Sequence, residues 1–315
     1  MISGAKRLAP GDLLGFVGLG NMGVPMVRRL IGAGFRVRGF DRAEEAGTDL
    51  YELDGYARAG SLRELTLGTR AVMLMLPNST IVAEVLLADR LLDFMEQGSV
   101  LIDMGSSQPN ETKRMATEAE RRGIRLMDAP VSGGVPAARD GSLTVMVGGP
   151  EEWVEECRPA LEQIGKHVVH SGPVGAGHAL KALNNLLSAS HLLASSEALV
   201  VGTSFGLDPE VMMDAINGSS GRSWSTMTKW PRYILPRTFA SGFLMSLLVK
   251  DVGIAVDLAH ATGVGAPHAE ATLALWQEAA EELPRDADHT DIHRWVERHS
   301  LASSPDPVKA ASPER

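Results

Sequence analysis

Residues 13–23 read Leu-Leu-Gly-Phe-Val-Gly-Leu-Gly-Asn-Met-Gly, a short apolar run that stops at a G-x-G-x-x-G and opens into helix-like spacing. In such a turn the first glycine, Gly18, permits the tight bend and the second, Gly20, lets the backbone approach a pyrophosphate. The third, Gly23, lets the helix pack closely on the strand, with its N-terminus facing the phosphates. With Leu19, Asn21 and Met22 between them, these glycines form the expected cofactor loop. The motif is weak alone, since glycine-rich turns also serve plain strand–helix junctions, but it gains weight from its place between a strand and a helix. The next strand candidate, Arg36–Phe40, leads into Asp41, whose carboxylate suits a ribose 2′-hydroxyl and repels a 2′-phosphate. That favours NAD. Arg42 leaves NADP open, because its guanidinium can stack on adenine, pair with a 2′-phosphate, or remain a solvated loop charge.

Outward from this turn the chain alternates apolar runs with amphipathic ones. Strands are expected at Leu13–Val17, Arg36–Phe40, Ala71–Leu76, Val100–Met104, Ile124–Met127, Leu143–Val147 and His167–His170. Helices are expected at Asn21–Ala33, Leu62–Leu67, Thr80–Leu87, Asn110–Arg121 and Glu151–Ile164. Strands alternating with helices at this spacing predict an α/β Rossmann domain, doubly wound on a mostly parallel sheet. After Gly177 the pattern changes. His178–Phe205 has no proline and helical apolar spacing, Gly206 reads as its C-cap, and Asp208-Pro209 restarts a helix. Further helices are expected at Phe243–Thr262, Pro267–Glu281 and near Asp291–His299. The reading is a flexible extension over 1–12, a Rossmann domain over 13–174, an all-α domain over 175–301 that begins with a long helix, and a disordered tail over 302–315.

Composition narrows the function classes. The 315 residues carry 30 Lys+Arg against 39 Asp+Glu, a formal charge of −9 that fits poorly with coating nucleic acid or an anionic membrane. No run reaches the ~20 apolar residues expected of a membrane helix. The single cysteine, Cys157, excludes an internal disulfide and a cysteine-rich metal site, and points to a reducing, cytoplasmic setting. Glycine is abundant, at 33 residues, which directs attention to places where backbone turns or meets a ligand.

A second cluster, Asp128-Ala129-Pro130-Val131-Ser132-Gly133-Gly134, follows a strand, where open α/β sheets bind ligands. Ser132 and the amides of Gly133 and Gly134 suit a carboxylate nest, although a tight turn needs the same glycines. A third segment runs Gly175-Ala176-Gly177-His178-Ala179-Leu180-Lys181 and on to Asn184-Asn185. Lys181 and Asn185, four apart, share one helix face. A lysine there can exchange the proton of a substrate hydroxyl while hydride moves to a nicotinamide. The alternative is a surface lysine near a helix start. His178 reads as packing or solvated. Trp224 and Phe243 are candidate pocket walls, with core packing as the alternative, and Arg222 is a candidate second carboxylate partner.

Together with Lys250-Asp251, these motifs resemble, in order, the β-hydroxyacid dehydrogenase family, which includes 3-hydroxyisobutyrate dehydrogenase and tartronate semialdehyde reductase. The resemblance covers about Leu13 to Leu301. It implies an N-terminal Rossmann domain joined by a long helix to a helical domain, with the reaction in the cleft between them. It implies Lys181 as acid/base, Asn185 as substrate-orienting, Ser132, Gly133 and Gly134 as the carboxylate cradle, and Lys250 at the nicotinamide side. Leu76, Pro77, Asn78 and Ser106 would touch the cofactor. The chain departs from the family in its N-terminal extension and in Gly105-Ser106-Ser107, where relatives often carry Ser-Thr. The expected activity interconverts a short β-hydroxy acid and its semialdehyde or keto form without a metal, in a homodimer or homotetramer. A tartronate semialdehyde or other small semialdehyde reductase is the close alternative, and a non-catalytic dinucleotide-binding module the distant one.

Two other readings are weak. Gly202-Thr203-Ser204-Phe205-Gly206 satisfies the hydrolase G-x-S-x-G but sits at the end of a helix rather than after a strand. His167 and His170 fall on opposite strand faces, and no H-E-x-x-H or carboxylate–histidine cluster is expected.

Overall fold

The computed structural model describes residues 7–302. Its nine strands are β1 (Leu13–Val17), β2 (Arg36–Phe40), β3 (Tyr56–Arg58), β4 (Ala71–Leu74), β5 (Val100–Asp103), β6 (Arg125–Asp128), β7 (Val131–Ser132), β8 (Leu143–Gly148) and β9 (Gly165–Gly172). They form one sheet in the order β3-β2-β1-β4-β5-β6-β8-β7, with β9 paired to β8. From β3 to β6 every pairing is parallel, β8 runs antiparallel to β6 and β7, and β9 is parallel to β8. The order 3-2-1-4-5-6 is that of a doubly wound dinucleotide-binding sheet. The central strands β4 and β5 are buried along their whole length, as a sheet covered on both faces requires.

The connecting helices are α1 (Gly23–Gly32), α2 (Leu62–Thr66), α3 (Ser79–Ala83), α4 (Leu91–Phe94), α5 (Pro109–Glu120), α6 (Gly134–Asp140) and α7 (Glu151–Ile164). Two apolar layers lie against the sheet. One joins Phe16, Met26, Leu30, Val145 and Leu161, and the other joins Val72, Leu74, Leu86, Leu101 and Leu126. The helix expected over Thr80–Leu87 is split, because α3 gives way at Glu84 to a wider π turn that ends at Ala88. Arg7–Asp12 corrects the expectation of a flexible extension. Leu8 is buried, its N–H bonds to Glu156 O, and Arg70 holds Asp12 at 2.7 Å. The remainder of that extension, residues 1–6, and the tail 303–315 lie outside the described residues.

The helices that follow are α8 (Ala176–Phe205), α9 (Pro209–Asn217), α10 (Met245–Ala261), α11 (Pro267–Glu282) and α12 (Ile292–Ala302). Gly206, at φ +100°, ends α8, and Asp208 caps α9 by accepting from the Glu210 and Val211 amides. Ser225–Ile234 is a π-helical segment, whose wider turn accommodates Pro231 in its interior. Backbone contacts divide the chain between Ala182 and Leu183, inside α8. The second unit has its own core, in which Leu192, Trp230, Leu248, Trp276 and Trp295 pack together. α8 corrects one expectation. It is long and apolar enough to cross a membrane by length and composition, with mean hydropathy 1.2 over its most apolar window. Its Ala189, Leu192 and Leu199 are nevertheless buried in that core, as in the central helix of a globular bundle.

Candidate active site

Three glycines after β1 do three different things. A Cβ on Gly18, which has φ +96°, would lie 2.3 Å from Met75 O, and one on Gly23 would lie 1.9 Å from Gly18 O. Gly18 is demanded by the close approach of the backbone after β4, and Gly23 by the close approach of α1 to the turn that ends β1. A Cβ on Gly20 would meet nothing within 4 Å, and Gly20 is exposed. The open side of the turn is therefore where a ligand can reach backbone. The first turn of α1 carries no acidic residue and no side-chain cap, so its amide N–H groups remain available to an anion. The loop fits a dinucleotide pyrophosphate.

Asp41 follows β2 and is drawn onto this loop, its carboxylate accepting from Leu19 N at 2.7 Å and Ala43 N at 2.9 Å. Arg58 braces the same turn by donating to the Asp41, Ala43 and Ala46 carbonyls. Arg42 points to Glu84 and Asp89, at 2.9 and 2.6 Å. After β4, Leu76 and Pro77 lead to Asn78, which is the N-cap of α3 and accepts from Ile81 N. After β5, Ser106 is half-buried, while Asp103 holds the turn through Gly105 N and Ser107 Oγ. Ser79 Oγ accepts from Gln108 N at 2.7 Å and ties these two loops together.

Ser132 ends β7, opposite Thr144 of β8, and the exposed Gly133 and Gly134 follow it at φ +135° and +70°. Gly133 is also a packing requirement, since a Cβ there would lie 2.6 Å from Ala137 Cβ. Behind this loop Asp128, fully buried, accepts from Gly175 N at 2.6 Å and His178 N at 2.8 Å. It thereby fixes the start of α8. Burial pushes the Asp128 carboxyl up from its usual range, against the pull of His178 and the two amides. His178 is buried, as the packing alternative had it. Thr112 Oγ1 donates to Gln108 O, which assigns His178 Nδ1 as the donor in its 2.8 Å bond to Thr112 Oγ1.

Lys181 and Asn185 stand one helical turn apart on α8, on one face. Asn185 is buried, and its Nδ2 donates to Asp251 Oδ2 at 2.6 Å. The other oxygen of Asp251 pairs with Lys250 Nζ at 3.1 Å, and Asn185 Oδ1 accepts from Asn184 Nδ2. The Asn185 amide is thus held in one orientation by a carboxylate that a lysine neutralises. Phe243 packs edge-on to His289, with ring centroids 5.5 Å apart, and lies against the core of the second unit. Trp224 and Arg222 are exposed.

Comparison with known proteins decides what this arrangement belongs to. Residues 13–172 match the family described as the NAD binding domain of 6-phosphogluconate dehydrogenase. Residues 175–296 match that described as NAD-binding of NADP-dependent 3-hydroxyisobutyrate dehydrogenase. The 2-(hydroxymethyl)glutarate dehydrogenase of Eubacterium barkeri is 39% identical over 78% of this chain and 81% of its own length. The chain belongs to the β-hydroxyacid dehydrogenase family. It is an NAD(P)-binding oxidoreductase that acts on a hydroxyl group. Within the family, the NAD-dependent L-serine dehydrogenase of Pseudomonas aeruginosa is 34% identical over 89% of this chain and 96% of its own. The solved Mycobacterium tuberculosis 3-hydroxyisobutyrate dehydrogenase with L-serine has a TM-score of 0.84 and 32% identity, over 91% of this chain and 99% of that one.

Sequence reasoning on this dehydrogenase missed the residues that act through distant partners. In the sequence Asp128 reads only as part of a loop, although it anchors α8 from 47 and 50 residues away. Lys229 carries no motif in the sequence, yet it is buried and donates to Ser188 Oγ at 3.0 Å. Both are charged residues in apolar surroundings, and the apolar neighbours of Lys229, Trp230 among them, were the available signal. The hydrolase reading falls, because Ser204 lies within α8. The expectation of no carboxylate–histidine cluster is corrected by Glu278, Glu282 and His299, whose ligand atoms gather within 4.8 Å at the surface.

Proposed function

We propose that this dehydrogenase oxidises the primary hydroxyl of a 2-substituted 3-hydroxypropanoate, with NAD in preference to NADP, and catalyses the reverse reduction. The observation that carries the reading is the pairing of Lys181 with Asn185 on one face of α8, the Asn185 amide oriented by Asp251. Lys181 accepts the hydroxyl proton as the carbon gives up its hydride, and Asn185 donates to the substrate oxygen. Ser132 and the Gly133–Gly134 amides hold the carboxylate, so the hydroxymethyl carbon is presented in one orientation. NAD supplies the hydride acceptor. The names of the three relatives share one chemical core: 2-(hydroxymethyl)glutarate, L-serine and 3-hydroxyisobutyrate each carry a hydroxymethyl group on the carbon that bears the carboxylate.

Preference for NAD is supported by Asp41, held at the glycine loop where the ribose 2′-hydroxyl is expected, and by Arg42, engaged with Glu84 and Asp89. The test is an initial-rate screen of 3-hydroxyisobutyrate, L-serine, 2-(hydroxymethyl)glutarate, glycerate, threonate and γ-hydroxybutyrate with each cofactor. Reduction of NAD by at least one of the first three, at about ten times the rate with NADP, is expected. Turnover only of γ-hydroxybutyrate, or faster turnover with NADP, contradicts the reading.

A homodimer or homotetramer is supported by apolar side chains left on the surface of α8, where Leu180, Leu183 and Leu187 recur at helical spacing and Phe205 is 83% exposed. Light scattering is expected to give twice or four times the chain mass of 33.6 kDa, and a monomer at micromolar concentration contradicts it. A cytoplasmic setting is supported by Cys157, a lone buried thiol pushed up to about 12 by burial and the nearby Glu156.

A further inference from the structure

Lys229 lies in the π-helical segment Ser225–Ile234, is 7% exposed, and is the one buried lysine among the described residues. An ammonium has three N–H donors. Among the described residues, its one hydrogen-bond partner is Ser188 Oγ, at 3.0 Å. Asp288 is the acid whose field reaches it. That carboxylate is already taken up by Ser241 Oγ, Thr290 Oγ1 and the amides of Gly242, Phe243 and Thr290. Burial pushes the neighbouring His289 down from its usual range, which disfavours a second charge beside Lys229. Burial also pushes Lys229 down, to about 8, which leaves it mostly protonated at neutral pH. A buried ammonium with donors unmet is costly unless an acceptor completes its shell.

The place of Ser188 says which acceptor. It is three residues beyond Asn185 and seven beyond Lys181, so all three lie on one stripe of α8. The stripe runs from the proton-transfer lysine, past the orienting amide, to the hydroxyl that Lys229 grips. We propose that Lys229 is a specificity residue that binds a second carboxylate on the substrate, making this enzyme a dehydrogenase of 2-(hydroxymethyl) diacids. The proposal rests on the reaction assigned to Lys181 and refines its substrate. The rise from Lys181 to Ser188 is about 10 Å. A second carboxylate on an arm that runs along this stripe supplies the acceptor that the Lys229 ammonium needs. The methyl arm of 3-hydroxyisobutyrate leaves the ammonium unanswered, and the ammonium group of serine is repelled by it.

The test compares kcat/KM for 2-(hydroxymethyl)glutarate and 3-hydroxyisobutyrate in the wild type, Lys229→Met and Lys229→Gln, with NADH fluorescence confirming that each variant folds. Lys229→Gln keeps a donor for Ser188 and removes only the charge. The wild type is expected to favour the diacid at least about tenfold, and both variants to lower the diacid-to-monoacid ratio about tenfold or more. A ratio that stays within about twofold in the variants, or a wild type that favours the monoacid, overturns the proposal and leaves Lys229 a hydrated structural lysine. If the wild type oxidises neither acid, the assigned reaction fails, and the carboxylate site is read separately by calorimetric titration with glutarate. Binding to the wild type that is lost in Lys229→Gln then upholds the site. Equal binding to both, or none to either, overturns it.

Discussion

Replacing Lys181 by alanine is expected to lower kcat by roughly a hundredfold to ten-thousandfold while leaving NADH affinity within a few-fold of wild type. The size follows from its role. Oxidation of an alcohol needs the hydroxyl proton removed as hydride leaves, and the neighbours of Lys181 on that stripe of α8 do not offer a free base: His178 is buried and bonded to Thr112, Asn185 is an amide clamped by Asp251, and Ser188 is a hydroxyl held by Lys229. The fold is not at stake, because Lys181 is half-exposed within a 30-residue helix and alanine is the strongest helix former. The start of that helix is fixed independently by Asp128 through the Gly175 and His178 amides. A loss in kcat with an unchanged melting temperature would therefore report chemistry. Near-wild-type turnover in Lys181→Ala would assign the proton to another group.

Gly20→Val is expected to weaken NAD binding about a hundredfold, roughly 3 kcal/mol, at an unchanged melting temperature. A Cβ there meets nothing within 4 Å and the backbone has no positive φ, so the protein alone tolerates it. The methyl groups would project into the space through which a pyrophosphate approaches the turn. Gly23 gives the contrast. Its Cβ would sit 1.9 Å from Gly18 O, so Gly23→Ala is a folding defect rather than a binding defect. If Gly20→Val binds NADH as the wild type does, the glycine turn is a strand–helix junction and the cofactor lies elsewhere.

The parts of the fold that could be read from the chain were those with their own period. The β1–α1 turn, the buried strands β4 and β5, α7 and the long α8 each carry a pattern that does not depend on distant partners. Short pieces escaped. β3 has three residues at the sheet edge and β7 has two, too few for any alternation to show. α6 begins Gly-Val-Pro and reads as the continuation of a loop, while Pro231 hid the π segment. The site divides the same way. Lys181 and Asn185 are legible because their spacing is helical. The pairing of Asn185 with Asp251 spans 66 residues and that of Lys229 with Ser188 spans 41, so only the folded chain brings them together.

The glycine turn and the Lys181 stripe converge on one claim, that hydride leaves the hydroxymethyl carbon of a 2-substituted 3-hydroxypropanoate for a nicotinamide. The direct measurement is deuterium tracing with wild-type enzyme, NAD, and 3-hydroxyisobutyrate and 2-(hydroxymethyl)glutarate each dideuterated at the hydroxymethyl carbon. Reduced nicotinamide carrying one deuterium from at least one of the two acids, with the transfer slowed about a hundredfold or more in Lys181→Ala, is the predicted result. Unlabelled reduced nicotinamide, or none at all from either acid, would contradict the account.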